Sequence, residues 1–452
     1  MQSSLSDCLI RLIRSRPIDD GDRRVAASLL LDAAANIVAG SHSLQARRFL
    51  AWAVPRHAPE QPLNAAKIRR PAFLIGALCH IHEVDDLHRT SVVHPGCVVA
   101  PVLWALAEGA EPGRRDGRRV LDAFIRGVEA VARIGMAVGP AHYAIWHNTA
   151  TCGPFGAAMA AGEILQLDAE QARNALGNAG TQSAGLWEFL DSGAMSKHLH
   201  AGHADEAGLT AAELAGCGVT GPPRIFEGPR GFFAAMCPDG EAGQIIAEPD
   251  APWQIHQTSI KPWPSCRHTH PAIDAALEAG RRLREAGLAA DGATSIRLST
   301  YDAALALCDR AEPGDTYGAK FSLQHTVAVA LAGRALDFEA FGAASRRDMA
   351  GLRAKVRVRA TPEFEGPYPN HWGAELRLEH PGMATTLVIR RDDALGDPEA
   401  PLSAQQLIDK AYWLLGHGRH RDPAGLIAAI LAMPDGGPMP DLELSPPGAD
   451  AN

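Results

Sequence analysis

Apolar and polar positions follow two regimes along this chain. From Asp20 to about Met236 apolar residues recur at helical spacing in Ala-rich stretches separated by Gly, Pro and His clusters, which predicts a succession of amphipathic helices. Val120 to Val138 is one of them. Another opens at Asp168, whose side chain can accept an exposed backbone N–H while Gln171, three residues on, reaches back; it carries Ala172, Leu176 and Ala179 on one face. The small residues of Phe155 to Gly162 and Leu209 to Gly216 let helices approach closely, as in a compact bundle, and the Ala and Leu stripes are the core that any bundle needs.

Past the loop Cys237 to Trp253 the texture changes. Ser295 to Ser299, Lys355 to Arg359, Glu375 to Glu379 and Thr385 to Arg391 alternate with period two and predict strands. The helical runs His270 to Ala286 and Ser322 to Leu336 lie between them, so this region reads as a small α/β or α+β domain. Helix then returns, because Ser403 with Gln406 makes a second capping box ahead of a helix through Leu415, and a last helix spans Ala424 to Ala432. The expected fold is mainly α with an α+β part. A large all-helical domain covers residues 1–250 and a smaller α/β domain 251–400, while C-terminal helices at 401–435 rejoin the helical domain. Residues 436–452, rich in Pro, Gly and Asp, form a tail expected to be disordered.

The length of 452 residues exceeds what one core supports, in keeping with two units, and 46% hydrophobic with 21% charged residues is an ordinary globular composition. A net charge of -9 argues against partners that are nucleic acids or anionic membranes, so an anionic substrate needs a local positive pocket. The eight cysteines are scattered without a Cys-x-x-Cys pair, which weakens disulfide and zinc-finger readings and suggests reduced thiols in the cytosol. In Met1 to Arg16 the apolar residues are interrupted by Arg11, Arg14 and Arg16, which does not resemble a signal peptide. No stretch reaches the roughly 18 uncharged apolar residues of a membrane-spanning helix.

Four segments concentrate chemistry. His80 to Gly96 packs four His and three of its carboxylates into a short stretch; imidazole and carboxylate suit a metal, but the spacing matches no recognised site. A His held by a carboxylate suits proton transfer, with Asp86 and His94 as the expected members and Arg89 counted among the substrate-binding residues. In Trp146 to Gly156, His147 precedes a Gly-rich helix entry whose backbone donors can bind a carboxylate, although a lone His there is more often structural. In Asp191 to His203, Lys197 can pair with a substrate carboxylate or donate a proton, and His198, His200 and His203 are too close in sequence to converge readily on one ion. In Lys261 to Pro271, a loop stiffened by prolines, Lys261, Ser265 and Arg267 can grip an anion, unless the loop is merely solvated and basic.

Taken together, these segments resemble the MmgE/PrpD family over about Asp7 to Ile430. The blocks are Asp85 to Gly96, His147 to Ala158, Lys197 to Gly221 with Phe226 to Phe233, Lys261 to Asp274, and Lys320 to His325, in the family's order. The resemblance implies a large helical domain completed by C-terminal helices, a smaller α/β domain, a site in the cleft and a homodimer. It also implies a lyase, dehydratase-like, or an epimerase. Family activities include 2-methylcitrate dehydratase, cis-aconitate decarboxylase and iminodisuccinate epimerase. By similarity, Asp86 and His94 fall in the acidic and His segment, His147, Lys197 and Lys261 match functional positions, and His325 stands where decarboxylase members use Tyr. Glu83 and Leu87 replace the expected Asp and Thr, the stretch from Asp86 to His94 is one residue longer, and Cys266 replaces a His. These departures argue against a strict cis-aconitate decarboxylase.

The expected mechanism has Lys197, Lys261 and Arg267 neutralising carboxylates of a small polycarboxylate substrate while His147 or His94 moves the proton on the adjacent carbon, with no metal and no cofactor. Loss of a β-hydroxyl gives a dehydratase and return to the opposite face an epimerase. The rivals are a metal-dependent hydrolase and a non-catalytic helical scaffold.

Overall fold

The computed structural model describes residues 3–53, 71–107 and 112–444. The chain forms two compact units, one of residues 1–260 with 403–452 and one of 261–402.

The first unit begins with α1 (Leu5–Ser15) and α2 (Asp20–Ser41), each opened by a capping box, Ser4 with Asp7 and Asp19 with Asp22. Then come α3 (Ala46–Ala53), α4 (Pro71–His80), β1 (Leu87–His88), α5 (Gly96–Ala107), α6 (Gly117–Ala137), α7 (Asn148–Ile164), α8 (Ala169–Gly180) and α9 (Ser196–Gly216). The Asp168–Gln171 capping box is present at the start of α8. In α4, α5 and α7 all but one residue of each helix is buried. A helix without a polar face must be wrapped by others, and α2, α6 and α9 do the wrapping. Small residues set how close they come: a Cβ on Gly208 of α9 would lie 2.3 Å from the Ala157 Cβ and 2.6 Å from the Pro154 carbonyl oxygen of α7. Helix α2 is long and apolar enough to cross a membrane by length and composition, but 83% of its most apolar window is buried inside the protein. A short strand β2 (Thr258–Ser259) closes this part of the unit, antiparallel to β1 with Leu87 opposite Ser259 and His88 opposite Thr258.

The second unit contains α10 (His270–Glu285), β3 (Ser295–Thr300), α11 (Leu323–Leu331), β4 (Val356–Ala360), β5 (Ala374–Glu379) and β6 (Leu387–Arg391). Its sheet has the order β4-β3-β5-β6, with β3 and β4 parallel and the other neighbours antiparallel. All four period-two runs are therefore strands. Their inward residues, among them Ile296, Leu298, Val356, Leu376, Leu378 and Ile389, form one core with apolar residues of α10 and α11. Helix α11 is shorter than the expected run to Leu336, because Gly333 takes the left-handed conformation (φ +66) and ends it.

After residue 402 the chain rejoins the first unit as α12 (Ala404–His417), opened by the Ser403–Gln406 capping box, and α13 (Pro423–Leu431). The anchor is ionic. Lys410 of α12 pairs with Asp32 of α2 and donates to the Val84 carbonyl at 2.7 Å, all three groups buried. The tail differs from expectation over 436–444. The Met439 N–H donates to the Arg115 carbonyl, the Arg115 guanidinium holds the Met439 carbonyl at 2.8 Å, Trp104 donates to Pro440, and Met439, Leu442 and Leu444 are buried. Its apolar residues are few but correctly placed, which composition did not register. Residues 445–452 lie outside the described residues.

Replacing Lys410 with Met leaves Asp32 buried without its counter-ion and is expected to cost about 3–5 kcal/mol, read as a lower urea midpoint. The double variant Asp32→Leu with Lys410→Met should recover most of the loss. A single variant as stable as wild type would show that the pair does not anchor α12.

Candidate active site

The connection from α4 to α5, residues 81–95, buries many polar side chains. It cannot be helical. Glu83 and Val92 both lie in the left-handed region (φ 62 and 50), a conformation disfavoured for residues with a Cβ and worst for a β-branched Val. Between them His88 and Val93 form a tight bridge, with the His88 N–H donating to Val93 at 2.8 Å. Asn148 pins the Ser91 carbonyl at 2.8 Å.

The four histidines of residues 80–96 divide into two kinds. His82 bonds the Ala39 carbonyl through Nε2 at 3.2 Å, and His88 bonds Ser91 Oγ and Gln254 Oε1, both at 2.8 Å, so these two tie the loop to the scaffold. Burial pushes His88 down to about 4, which keeps it neutral. His80 and His94 instead face a carboxylate. Asp85 accepts a hydrogen bond from His80 Nδ1 at 2.6 Å and lies 3.2 Å from His94 Nδ1. His94 Nδ1 also meets the Asp86 carbonyl at 2.6 Å. A carbonyl only accepts, so Nδ1 carries the hydrogen and Nε2 is the basic nitrogen of the neutral ring.

Asp86 was expected to take part in the chemistry, and its carboxylate is used otherwise. Both of its oxygens accept the Gly96 N–H, at 2.9 and 3.0 Å, at the start of α5. Burial, then the charges of Asp85 and Asp32, push this carboxyl well above its usual range, with Gly96 and Lys410 acting in the opposite sense. Neighbouring positions on irregular backbone aim their side chains differently, so Asp85 reaches the imidazoles and Asp86 the helix end. Arg89 is 4% exposed within the turn, where its carbonyl accepts the Val92 N–H.

His147 stands just before α7, with its N–H on the Gly185 carbonyl at 3.0 Å. Its ring lies 5.9 Å from His80 and 4.6 Å from Trp187, and its Nδ1 is 3.3 Å from His200 Nδ1. Burial, then Lys197 and the His80, His200 and His94 rings, push it well below the usual His value. Lys197, in the first turn of α9, directs its ammonium to both Glu83 oxygens at 2.5 and 2.7 Å, and the two side chains are buried. Asp86, His94, His147 and Lys197 are thus gathered within the first unit, joined by Glu83, Asp85, His80 and His200, which the sequence did not single out as site members. Lys197 to His200 is one turn of helix and was a usable signal for His200; nothing in the sequence distinguishes Asp85 from Asp86.

Lys261, Ser265, Arg267 and His325 belong to the second unit. Lys261 is fully buried. Ser265 Oγ bonds Thr269 Oγ1 at 2.9 Å. Arg267, expected to grip substrate, instead binds Asp397 at 2.5 Å, the Leu395 and Ala394 carbonyls and His270 Nδ1, so the positive charge already has a buried counter-ion. His325 is fully buried, with Nε2 on the Ala340 carbonyl at 2.8 Å.

Among the described residues, two groups bring three metal-ligand types together: His80, Asp85 and Cys97, all buried, and His371, Asp393 and Glu399. The first fits a metal poorly. His80 and Asp85 are bonded to each other, and Cys97 donates to the His94 carbonyl with its thiol pushed well up by burial. In the second, His371 is already on Asp393 at 2.9 Å.

Family models match on both sides of this boundary, the MmgE/PrpD N-terminal domain over residues 12–245 and the MmgE/PrpD C-terminal domain over 263–430. The chain belongs to the MmgE/PrpD family. Among relatives, cis-aconitate decarboxylase-like protein oryM of Aspergillus oryzae is 29% identical over 61% of this chain and 60% of its own length. The cis-aconitate decarboxylase of Aspergillus terreus is 29% identical over 47% of this chain and 46% of its own length. The human cis-aconitate decarboxylase is 27% identical over 75% of this chain and 71% of its own length. The match to the first two therefore spans less than two thirds of each relative. The MmgE/PrpD fold, a large helical part with a smaller α/β part, agrees with both units.

A carboxyl raised in the folded state contributes stability below its unfolded value and loses it as pH climbs from about 4 through the raised value. Asp86→Asn keeps an oxygen for Gly96 and removes the titration, so its stability should fall less than wild type's from about pH 5 to about pH 8. Asp86→Ala, which removes the cap, should cost about 0.5–2 kcal/mol near pH 5 and less as pH rises, because the wild-type carboxyl loses its own contribution over that range. Urea midpoints across this range check both, and parallel wild-type and Asn curves would refute the raised value.

Proposed function

We propose that this MmgE/PrpD protein is a lyase that acts on a small di- or tricarboxylic acid by moving a proton at the carbon next to a carboxylate. The observation that carries the reading is the convergence of His94, His147 and Lys197, from three distant segments, in one buried cluster of the first unit. An ammonium beside a substrate carboxylate stabilises the negative charge that builds on the adjacent carbon in the transition state. Two of the Lys197 donors rest on Glu83, which keeps the buried charge compensated until an anion enters. His147, held neutral, can accept or return the proton at pH 7. His94, with Asp85 behind its Nδ1, is the second carrier, its imidazolium stabilised by the carboxylate. These groups suffice for the proton step, so the proposal includes no metal and no coenzyme. Lys261 is kept as a candidate for a second substrate carboxylate, whereas Asp86, Ser265 and Arg267 act as structural supports.

The relatives' names give the substrate class, a small tricarboxylic acid. Glu83 is one methylene longer than the Asp expected there, is held in a left-handed backbone, and Leu87 supplies no hydroxyl. These differences favour a different polycarboxylate over cis-aconitate, and dehydration over decarboxylation. Two proton carriers on separate elements also favour a second outcome, epimerisation of an amino- or imino-dicarboxylate. The resemblance to the family supports a homodimer, and cysteines scattered without a Cys-x-x-Cys pair support a cytosolic location.

Incubation in deuterated water with cis-aconitate, citrate, 2-methylcitrate and iminodisuccinate, followed by mass spectrometry, should show deuterium in at least one recovered acid or product, and no incorporation with any of them would refute the reading. Lys197→Met should lower kcat/KM on that acid by well over about tenfold. Equal kinetics would remove Lys197 from the mechanism.

A further inference from the structure

His147 is sealed from solvent, 1% exposed, yet a proton carrier must exchange with water once per turnover or return the same proton. Its Nδ1 meets the Nδ1 of His200 at 3.3 Å, and among the described residues no other side chain hydrogen-bonds the His147 ring. His200 is 7% exposed and lines a separate cavity of about 480 Å³ together with Trp146, Gly185, Phe189, Ser192 and His203. We propose that His200 is the outer half of a two-histidine relay, carrying protons between His147 and the water of this cavity. The proposal rests on the assignment of His147 as a proton carrier.

Two neutral imidazoles that meet through Nδ1 share one hydrogen, so their tautomers are opposite. With the hydrogen on His147 Nδ1, the His147 Nε2 lone pair is free to act as base and His200 carries its own hydrogen on Nε2. When His147 Nε2 takes a proton from the substrate carbon, the His147 Nδ1 proton passes to His200 Nδ1 and the His200 Nε2 proton leaves to water. One proton enters, one leaves, and both rings end neutral with reversed tautomers. The opposite direction delivers a solvent proton to carbon. Both rings are neutral at rest, as the sequence of transfers requires: burial, then His80, His203 and Lys197, push His200 down to about 4, and His147 is lowered likewise. The charged neighbours are accounted for, since Lys197 is bonded to Glu83 and His80 to Asp85.

The surroundings hold this geometry. Phe189 packs at 6.3 Å from His147 and 5.5 Å from His200, edge-on to both rings. Gly185 (φ +132) brings the 182–187 backbone against the pair, where a Cβ would lie 2.4 Å from the Ala150 Cβ and 3.3 Å from His200 Nδ1.

The test uses the full chain, nitrogen-15 labelled at histidine. Two-bond proton–nitrogen spectra should show opposite tautomers for His147 and His200 in wild type and a tautomer mixture for His147 in His200→Ala. The same tautomer in both rings, or an unchanged His147 in the variant, overturns the relay whatever the substrate. With cis-aconitate in deuterated water as probe, or whichever acid of the panel exchanges, His200→Ala should slow deuterium exchange about tenfold or more at unchanged KM, and added imidazole should restore part of the rate. A packing role alone would give no such rescue. His147→Gln, run in parallel, separates the two ideas: full exchange in that variant removes His147 as carrier, whereas an inactive His147→Gln beside an unimpaired His200→Ala removes only the relay.

Discussion

Charge withdrawn from water has to be met at short range, and the first unit is organised around that constraint. The 81–95 connection carries Glu83, Asp85 and Asp86 into a region where each is at most 1% exposed. An uncompensated carboxylate there would cost several kcal/mol or stay protonated. Glu83 meets an ammonium and Asp85 imidazoles, whereas Asp86, its carboxyl pushed well above the usual range, rests on a helix N-terminus. Lys410 adds a positive group from the end of the chain. The proton-transfer chemistry proposed for the site uses the same groups, so what stabilises the loop also holds the carriers in place.

Much of the architecture was legible because it follows from periodicity. The strands at 295–300, 356–360, 374–379 and 387–391 declare themselves by alternation, and the caps at Asp168 and Ser403 by side chains that satisfy the first free N–H groups. The two-residue pairing of Leu87 and His88 with Thr258 and Ser259 was not legible, because it joins segments about 170 apart and is too short for any pattern. The site was legible as a set of segments but less so as a set of atoms. The sequence paired Asp86 with His94, whereas Asp85 is the one whose carboxylate meets the histidines, because only the backbone path of an irregular loop decides between adjacent positions. The surroundings of Arg267 were hidden for a related reason. Its partner Asp397 lies 130 residues on, and the sequence alone could not show that its charge was already matched.

The histidines make the same point from the other side. Clustering singled out a segment but only His94 within it, whereas His82 and His88 hold backbone and neighbouring side chains in place, and His80, His94, His147 and His200 face one another or a carboxylate. What separates the groups is the partner: a ring whose two nitrogens are both committed to scaffold atoms, like His88, has no nitrogen left for a proton in transit.

The return of the chain through α12 also has a consequence for how the protein is made. Asp32 and the Val84 carbonyl are translated more than 300 residues before the lysine that satisfies them, and the intervening residues 261–402 form a compact unit by themselves. On the ribosome that later unit can fold while the first is still unfinished, its acidic loop waiting for the last helices to emerge. The order of completion can thus run opposite to the order of synthesis, and an apolar, half-assembled bundle stays exposed until α12 and α13 emerge.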